Sequence, residues 1–341
     1  MADVIPLRSA PRRPASYTAA VDRYLDAASI AAGSRRVYGI SLLTWAWLLT
    51  GTQPPAGPAR RGAIPPTVPL AELDDPELPA RLAEAFTTRA DAHDADTVNR
   101  ELSVLRAAVG WWKTRGWLHS DPTADIARRA APADRTRALT RAQINRLWRL
   151  DVSLREKTYW RLLYETAARA DEILNLDLRD LDTANKRARV ISKGGAVEWV
   201  HWQSGAAQLL PRLIGDRKIG PVFLTDRAAP ARTPTLDICP TTGRARLSYR
   251  RAAELFDKAT RPLADPTHHR QGWTLHQLRH SALTHEAEAG TNTPMLLARS
   301  RHASVRSLER YARPGPDAVA RHVAATDPAA RRRPGRSTDT P

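Results

Sequence analysis

The sequence predicts a mainly α-helical protein of the α+β class, with two domains and one small antiparallel sheet. Apolar residues recur at steps of four and three from Val98 to Trp112, the spacing of one face of a helix. A Gly-Gly pair between two β-rich runs within 187–202 indicates a hairpin. A length of 341 residues is comfortable for two domains. We therefore expect a helical N-terminal domain followed by a mixed, largely helical domain that contains the sheet.

The N-terminal domain is predicted to cover 16–126, after a Pro- and Arg-rich segment at 1–15 that is predicted to be disordered. A Pro/Gly/Ala/Arg loop at 51–69 interrupts the helical pattern. Asp96 or Thr97 is expected to cap the helix that carries the apolar stripe.

Basic residues of this domain are candidate contacts for phosphate groups, although each is also explained as a solvated surface charge. The adjacent Trp111 and Trp112 are interpreted as core residues rather than as platforms for stacked bases. The candidate phosphate contacts are Arg35, Arg36, Arg100, Arg106, Lys113 and Arg115.

The second domain is predicted to cover 139–326 and to begin with a helix-start signal at Leu139–Gln143. A basic stretch with few apolar residues at 127–138 is predicted to be the interdomain linker. The predicted hairpin has Lys193 at its tip. Further predicted parts are a helix at 275–289, shorter helices that carry His302 and Tyr311, and a disordered basic tail at 327–341.

The charge of the chain favours a polyanionic partner. Its 53 Lys and Arg residues exceed its 36 Asp and Glu residues, for a formal net charge of +17. Lysine and arginine strengthen binding to duplex DNA because they release counterions from its phosphates, and this binding weakens steeply as salt increases. The alternative is a merely soluble protein from a GC-rich genome, in which arginine replaces lysine.

The composition also excludes several classes of protein. The single cysteine, Cys239, excludes an intramolecular disulfide and a cysteine-based zinc site. The N-terminus has no apolar core of the signal-peptide type. The most apolar stretch, 40–50, is shorter than the roughly 20 residues that span a bilayer, and it is predicted to be a buried helix. We expect a cytoplasmic protein with no membrane partner.

Two arginines, two histidines and a tyrosine form an ordered set that suits metal-free attack on a phosphodiester. Arg169 opens an apolar helical run, His276 and Arg279 are three residues apart, and His302 precedes Tyr311 by nine. Charge that develops on the phosphate oxygens needs donors, each worth roughly 3–4 kcal/mol. Arginine matches these oxygens bidentately and never titrates. A phenol, with a pKa of about 10, needs a neighbouring base such as histidine to act as a nucleophile.

This ordered set resembles the tyrosine recombinases, also called the phage integrase family. The stretch from Leu278 to Ser281, followed by Thr284, His285 and Gly290, resembles the second sequence box of that family, and 97–122 resembles the last helix of its core-binding (SAM-like) domain. The resemblance implies that Tyr311 is the nucleophile, which forms a 3′-phosphotyrosyl link, and that Lys193 is the general acid and His276 the acid/base partner. It also implies that Arg169 and Arg279 bind the phosphate, that His302 donates to the phosphate, and that Glu172 orients Arg169.

The chain departs from the family pattern in two motifs. The family's first box usually reads Thr-Gly-Leu-Arg, where this chain has Ala167 and Ala168 before Arg169. The family usually has glycine before the histidine of the second box, where this chain has Arg301 before His302. The loss of glycine removes conformational freedom or a close backbone approach. We expect both changes to affect local packing rather than the reacting groups.

The resemblance implies a protein that closes two domains around double-stranded DNA and acts as a homo-tetramer on two synapsed sites. Strand exchange would pass through a Holliday junction without ATP, a metal or another cofactor. Integration or excision of a mobile element is favoured over chromosome-dimer resolution, and a nucleoid-associated location is expected. Participation of an accessory or directionality factor is left open.

Three other interpretations are weaker. A DNA-binding protein of the same fold that has lost its chemistry would not need the complete residue set. A type IB-like topoisomerase would share the chemistry but act as a monomer. A zinc hydrolase is suggested by His276 and His280, which are four residues apart, but Gln277 stands where such a motif has its glutamate.

Overall fold

A computed structural model describes residues 12–30, 32–130, 138–192, 195–264, 272–302, 304–308 and 316–327. The chain divides into two compact units, Met1–Asp134 and Arg135–Pro341. The division falls within the segment predicted as the linker. No helix among the described residues has the length and apolar character needed to cross a membrane.

In the N-terminal unit, the described residues form four α-helices and two short 3₁₀ helices. The α-helices are α1 (Tyr17–Ala27), α2 (Ala32–Leu49), α3 (Leu78–Ala92) and α4 (Ala95–Lys113), and the 3₁₀ helices are Gly57–Arg60 and Leu70–Asp74.

The predicted apolar stripe is the buried face of α4. Its residues from Val98 to Trp112 are among the most buried of the unit, and the Trp112 indole donates to the Ala20 carbonyl at 3.1 Å. The prediction of the cap was wrong, since Asp94 precedes the first helical residue. The amide of Thr97 already bonds to the Asp94 carbonyl at 2.9 Å, which places Thr97 inside the first turn.

Residues 41–49 of the apolar stretch lie in α2 and are mostly buried as predicted, with Leu42 and Trp45 fully enclosed, while Ile40 and Thr50 at its two ends are exposed. A buried ion pair links α3 to α4. Arg89 donates from Nε and Nη2 to the two carboxylate oxygens of Glu101 at 2.5 and 2.8 Å, and both side chains are almost fully buried. This fork-to-fork geometry pairs the two buried charges directly.

Where it is described, the C-terminal unit is largely helical and includes two small antiparallel sheets. Its α-helices are α5 (Arg141–Trp148), α6 (Leu154–Thr166), α7 (Ala170–Leu174), α8 (Ser204–Ile214), α9 (Tyr249–Thr260), α10 (Leu275–Glu288), α11 (Thr293–Ser300), α12 (Val305–Leu308) and α13 (Pro316–Thr326). Its strands are β1 (Leu181–Asp182), β2 (Arg187–Ile191), β3 (Val197–His201), β4 (Leu224–Ala228) and β5 (Arg244–Arg246).

The predicted hairpin is formed by β2 and β3, which pair antiparallel with Val190 opposite Glu198, and β1 adds a short third strand. A second sheet, β4 with β5, was not predicted. Among the residues of β4 only Thr225 is β-branched, so the segment lacks the composition that marks a strand.

The helix α10 lies in the core of the unit. Its residues from Leu278 to His285 are all buried, and it packs against α6. The Ser281 hydroxyl accepts the Leu139 amide at 2.7 Å, which ties the start of the unit to this helix. Helix α10 therefore provides a rigid base for the residues that project from its first turn.

Candidate active site

The junction of α6 and α7 positions Arg169. Helix α6 ends at Thr166, and Ala167 then adopts a left-handed conformation with φ 50° and ψ 24°. The turn is closed by the Ala168 amide, which donates to the Thr166 hydroxyl at 3.1 Å. Arg169 follows as the N-cap of α7. Ala167 occupies the position where the family has glycine, and its backbone conformation is one that glycine adopts without strain.

Glu172 holds the Arg169 side chain in place. The carboxylate of Glu172 accepts the Arg169 amide at 2.8 Å and the Arg169 Nη1 group at 2.8 Å. The side chain of Arg169 stays 36% exposed while that of Glu172 is 4% exposed. Burial opposes ionisation of Glu172, but the charge of Arg301 and the bonds from Arg169 prevail, and the pKa of Glu172 lies below its usual value. An oriented arginine with a partly exposed side chain results.

Arg279 joins two chain segments that lead to other candidate residues. It lies on α10, is only 2% exposed, and donates from Nη1 to the Ala167 carbonyl and from Nη2 to the Ser300 carbonyl. Ala167 is two residues before Arg169, and Ser300 is two residues before His302. The two arginines and His302 are thereby brought to one region of the unit.

The end of α11 introduces a charged group that was not predicted at this site. Arg301 caps the helix in a left-handed conformation with φ 53° and ψ 41°. Its side chain is 5% exposed, forms an ion pair with Glu172, and places Nε 3.2 Å from a carboxylate oxygen of Glu198 on β3. Arg301 therefore contacts the carboxylate that holds Arg169. The expectation that this departure affects local packing rather than the reacting groups stays a prediction.

His302 follows the C-terminal end of α11, and His276 lies at the N-terminal end of α10. His302 is half-buried and follows the left-handed Arg301 outside any helix, so the expectation of a helix around it was wrong. His276 is exposed in the first turn of α10, one turn before the buried Arg279. Gln277 stabilises that turn by accepting the Thr274 amide at 2.7 Å.

Lys193 and Tyr311 lie outside the described residues. The hairpin that flanks Lys193 in sequence is closed by the Ser192 amide, which donates to the Ala196 carbonyl at 2.9 Å. In sequence, Tyr311 falls between α12 and α13. Their assigned roles stay predictions.

His280 and His285, on the same helix as His276, are both buried and each lies close to a hydroxyl group. His280 is buried, with Nδ1 3.4 Å from the Thr284 hydroxyl. The Nδ1 atom of His285 lies 2.8 Å from the Tyr164 hydroxyl, and burial, followed by the charge of Arg141, lowers the pKa of His285. Across the described part of the chain, no three His, Cys, Asp or Glu side chains group as metal ligands would.

The candidate phosphate contacts of the N-terminal unit differ in their surroundings. Arg106 donates to the carbonyls of Thr123 at 2.8 Å and Ile126 at 2.6 Å, a structural role that the sequence did not reveal. Arg115 stacks at 3.4 Å over the ring of Trp111. The remaining candidates are exposed: Arg35, Arg36, Arg100 and Lys113. Of these, Arg35 also pairs with Asp26 at 3.1 Å.

Comparison with known families agrees with the geometry of this site. The model of the phage integrase family matches residues 137–316, more than half of the chain. The chain therefore belongs to the phage integrase family, the tyrosine recombinases, and is a tyrosine-type site-specific DNA recombinase.

Relatives of known name support this assignment. The chain is 27% identical over 250 residues to tyrosine recombinase XerC of Mycobacterium leprae (strain TN). The aligned region covers 71% of this chain and 80% of that protein. It is 28% identical over 252 residues to XerC of Mycobacterium sp. (strain KMS), with the same coverage of 71% and 80%.

Solved structures share the fold. A Tn1549 transposon integrase in complex with a circular intermediate DNA matches 92% of this chain and 100% of its own chain, with a TM-score of 0.62 and 15% identity. A lambda integrase dimer bound to a COC′ core site matches 88% of this chain and 96% of its own, with a TM-score of 0.63 and 16% identity.

Proposed function

We propose that this recombinase integrates or excises a mobile DNA element through covalent cleavage by Tyr311. The observation that carries the proposal is the arrangement around Arg279, whose guanidinium joins the segments that lead to Arg169 and His302. This arrangement collects cationic and hydrogen-bonding groups from separate parts of the unit. The fold likeness to DNA-bound integrases of a transposon and of lambda agrees with a mobile-element role.

In the proposed mechanism, Arg169 and Arg279 bind the non-bridging oxygens of the scissile phosphate. Arg169 suits this role because Glu172 fixes its position while its side chain stays partly exposed. Preorganised charge of this kind stabilises the developing phosphorane more than mobile charge does, because no reorganisation is needed during the reaction. His302 adds a donor to the same phosphate.

Cleavage and rejoining then follow from two proton transfers. The Tyr311 oxygen attacks phosphorus and His276 takes part in moving the phenolic proton, while Lys193 protonates the leaving 5′ oxygen. The product is a 3′-phosphotyrosine and a free 5′ hydroxyl. Attack by the 5′ hydroxyl of a partner strand restores the phosphodiester and releases Tyr311. The phosphotyrosine conserves the bond energy, so the cycle needs no ATP.

The N-terminal unit is proposed to hold double-stranded DNA through its exposed basic residues, among them Arg36, Arg100 and Lys113. Four copies of the chain would bring two sites together, exchange one pair of strands to form a Holliday junction, and then exchange the second pair. An accessory factor that sets the direction is compatible with this scheme, as is association with the nucleoid.

Covalent trapping on nicked duplexes tests the proposal. Duplexes tiled across the DNA that flanks the gene would be incubated in EDTA with the wild-type chain and with Tyr311→Phe. We expect an SDS-resistant adduct with the wild type alone, because a nick beside the scissile phosphate lets the short fragment with the freed 5′ hydroxyl diffuse away and leaves the 3′-phosphotyrosine trapped.

Three other results would contradict the proposal, and each would favour a different interpretation. An adduct retained by Tyr311→Phe would show that another residue is the nucleophile. Occupied sites without any adduct would favour a DNA-binding protein without chemistry, and relaxation of supercoiled DNA without strand exchange would favour a topoisomerase.

A further inference from the structure

Arg301 has an unfavourable backbone conformation at a position beside the site. Among the described residues, the non-glycine residues with positive φ are Ala167, Lys186 and Arg301. A side chain in this conformation brings its Cβ close to the following carbonyl, a cost that glycine avoids. Such strain persists where surrounding contacts compensate for it.

The compensating contacts of Arg301 are two carboxylates on different elements. Its buried guanidinium pairs with Glu172 at the start of α7 and lies 3.2 Å from Glu198 on β3. The Glu172 oxygen that contacts Arg301 also accepts the Arg169 amide at 2.8 Å. A single arginine is therefore joined to the carboxylate that orients Arg169.

The second carboxylate connects Arg301 to the hairpin. Glu198 lies opposite Val190 in the ladder of β2 and β3, and the connection between these strands contains Lys193 in sequence. The side chain of Glu198 is 33% exposed, whereas that of Arg301 is 5% exposed, so the pair forms at the edge of a buried region. Arg301 thus links α11, α7 and the hairpin.

We propose that Arg301 is a positioning residue for strand cleavage, which aligns Arg169 through Glu172 and anchors the hairpin through Glu198. The inference rests on the proposed function, since it concerns the same reaction. It assigns a specific role to a residue that stands where relatives of this family usually have glycine.

The expected effect on pH dependence follows from the surroundings of Glu172. Burial raises the pKa of this carboxylate, and the charge of Arg301 is the largest opposing influence. Removal of that charge raises the pKa of Glu172, so protonation would release Arg169 at a higher pH than in the wild type. The acid limb of the cleavage rate should therefore move to higher pH.

The test is single-turnover cleavage of a nicked duplex as a function of pH, with Arg301→Gly, Arg301→Lys and Arg301→Met beside the wild type. Arg301→Gly removes the contacts and also the backbone strain, so loss of activity cannot be assigned to a poorer backbone. We expect it to cleave about 10- to 100-fold more slowly, the range of a small misplacement of a reacting group. Arg301→Met should move the acid limb upward, and Arg301→Lys should restore it in part.

Arg299→Met is the matched control on the same helix. Arg299 pairs with Glu286 at 2.6 Å and donates to the Glu165 carbonyl at 2.6 Å, so it contacts the backbone of α6 but no carboxylate of the site. This variant is expected to lower thermal stability without moving the acid limb. Glu198→Gln should slow cleavage with an unchanged acid limb, because it breaks only the link to the hairpin.

The outcomes separate this inference from the proposed function. A wild-type chain that forms no adduct on occupied sites would overturn both. Adducts that form with Arg301→Gly at the wild-type rate and with the wild-type pH profile would overturn the role of Arg301 alone.

Discussion

Arg279 donates a hydrogen bond to the backbone carbonyl of Ala167, a residue 112 positions earlier in the chain. A second bond from the same guanidinium reaches the carbonyl of Ser300. The planar fork of arginine makes two directional bonds at once, which the ammonium group of lysine cannot reproduce with the same geometry. Arg279 is thus a structural tie between two helix ends as well as a proposed ligand of the phosphate.

Arg279→Lys is therefore expected to impair cleavage even though the charge is retained. The segments that lead to Arg169 and His302 would lose their common partner, and we expect the single-turnover rate to fall by roughly 100-fold or more. The rate of adduct formation on a nicked duplex measures this loss. A rate within a few-fold of the wild type would show that charge alone suffices at this position.

Glu172→Gln should lower stability at neutral pH, and its effect should vanish in acid. The pKa of Glu172 is lower in the folded chain than its usual value, so ionised Glu172 contributes stability above the unfolded pKa of about 4.3. That contribution is lost as pH falls through the folded pKa. Urea denaturation at pH 7 and at a series of lower pH values would measure the difference in the free energy of unfolding between the variant and the wild type. A difference that grows on acidification would contradict the assignment of a lowered pKa.

The buried pair of Arg89 and Glu101 gives a prediction on stability alone. Glu101→Ala leaves Arg89 as an uncompensated buried charge, which costs about 3–5 kcal/mol. Replacement of both residues, as Arg89→Met with Glu101→Leu, should recover most of that loss. Urea denaturation followed by tryptophan fluorescence would report it, with Arg35→Ala as the control because its pair with Asp26 is exposed. Equal losses in the single and double variants would refute this account.

Two basic residues of α4 should separate DNA contact from structural support. Lys113→Ala is expected to reduce the slope of log affinity against log salt by about 1, because Lys113 is exposed and available to a phosphate. Arg106→Ala should leave that slope unchanged and lower stability, because Arg106 is bonded to the carbonyls of Thr123 and Ile126. Affinity for a nonspecific duplex, measured between low and moderate salt, tests both. If the slope of log affinity against log salt is unchanged in Lys113→Ala, Lys113 does not contact a phosphate.

Much of the secondary structure was predictable, because its signals are local. The stripe from Val98 to Trp112 and the hairpin at 187–202 follow from side-chain spacing and turn residues, and both are confirmed. The sheet of β4 and β5 was missed because its strands lack β-branched alternation. The cap of α4 was misplaced by two or three residues, since several acidic and hydroxyl side chains near its start could serve equally well.

The sequence by itself determined the family, the helical class of the fold and the order of the candidate residues along the chain. Local spacing is sufficient for these, since helix periodicity and motif order do not depend on distant contacts. Only the tertiary structure decided that Arg301 reaches Glu172, 129 positions away, and that Arg279 joins the ends of α6 and α11. Such pairings arise from the packing of buried helices against one another, and no local pattern of residues encodes which buried arginine meets which carbonyl or carboxylate.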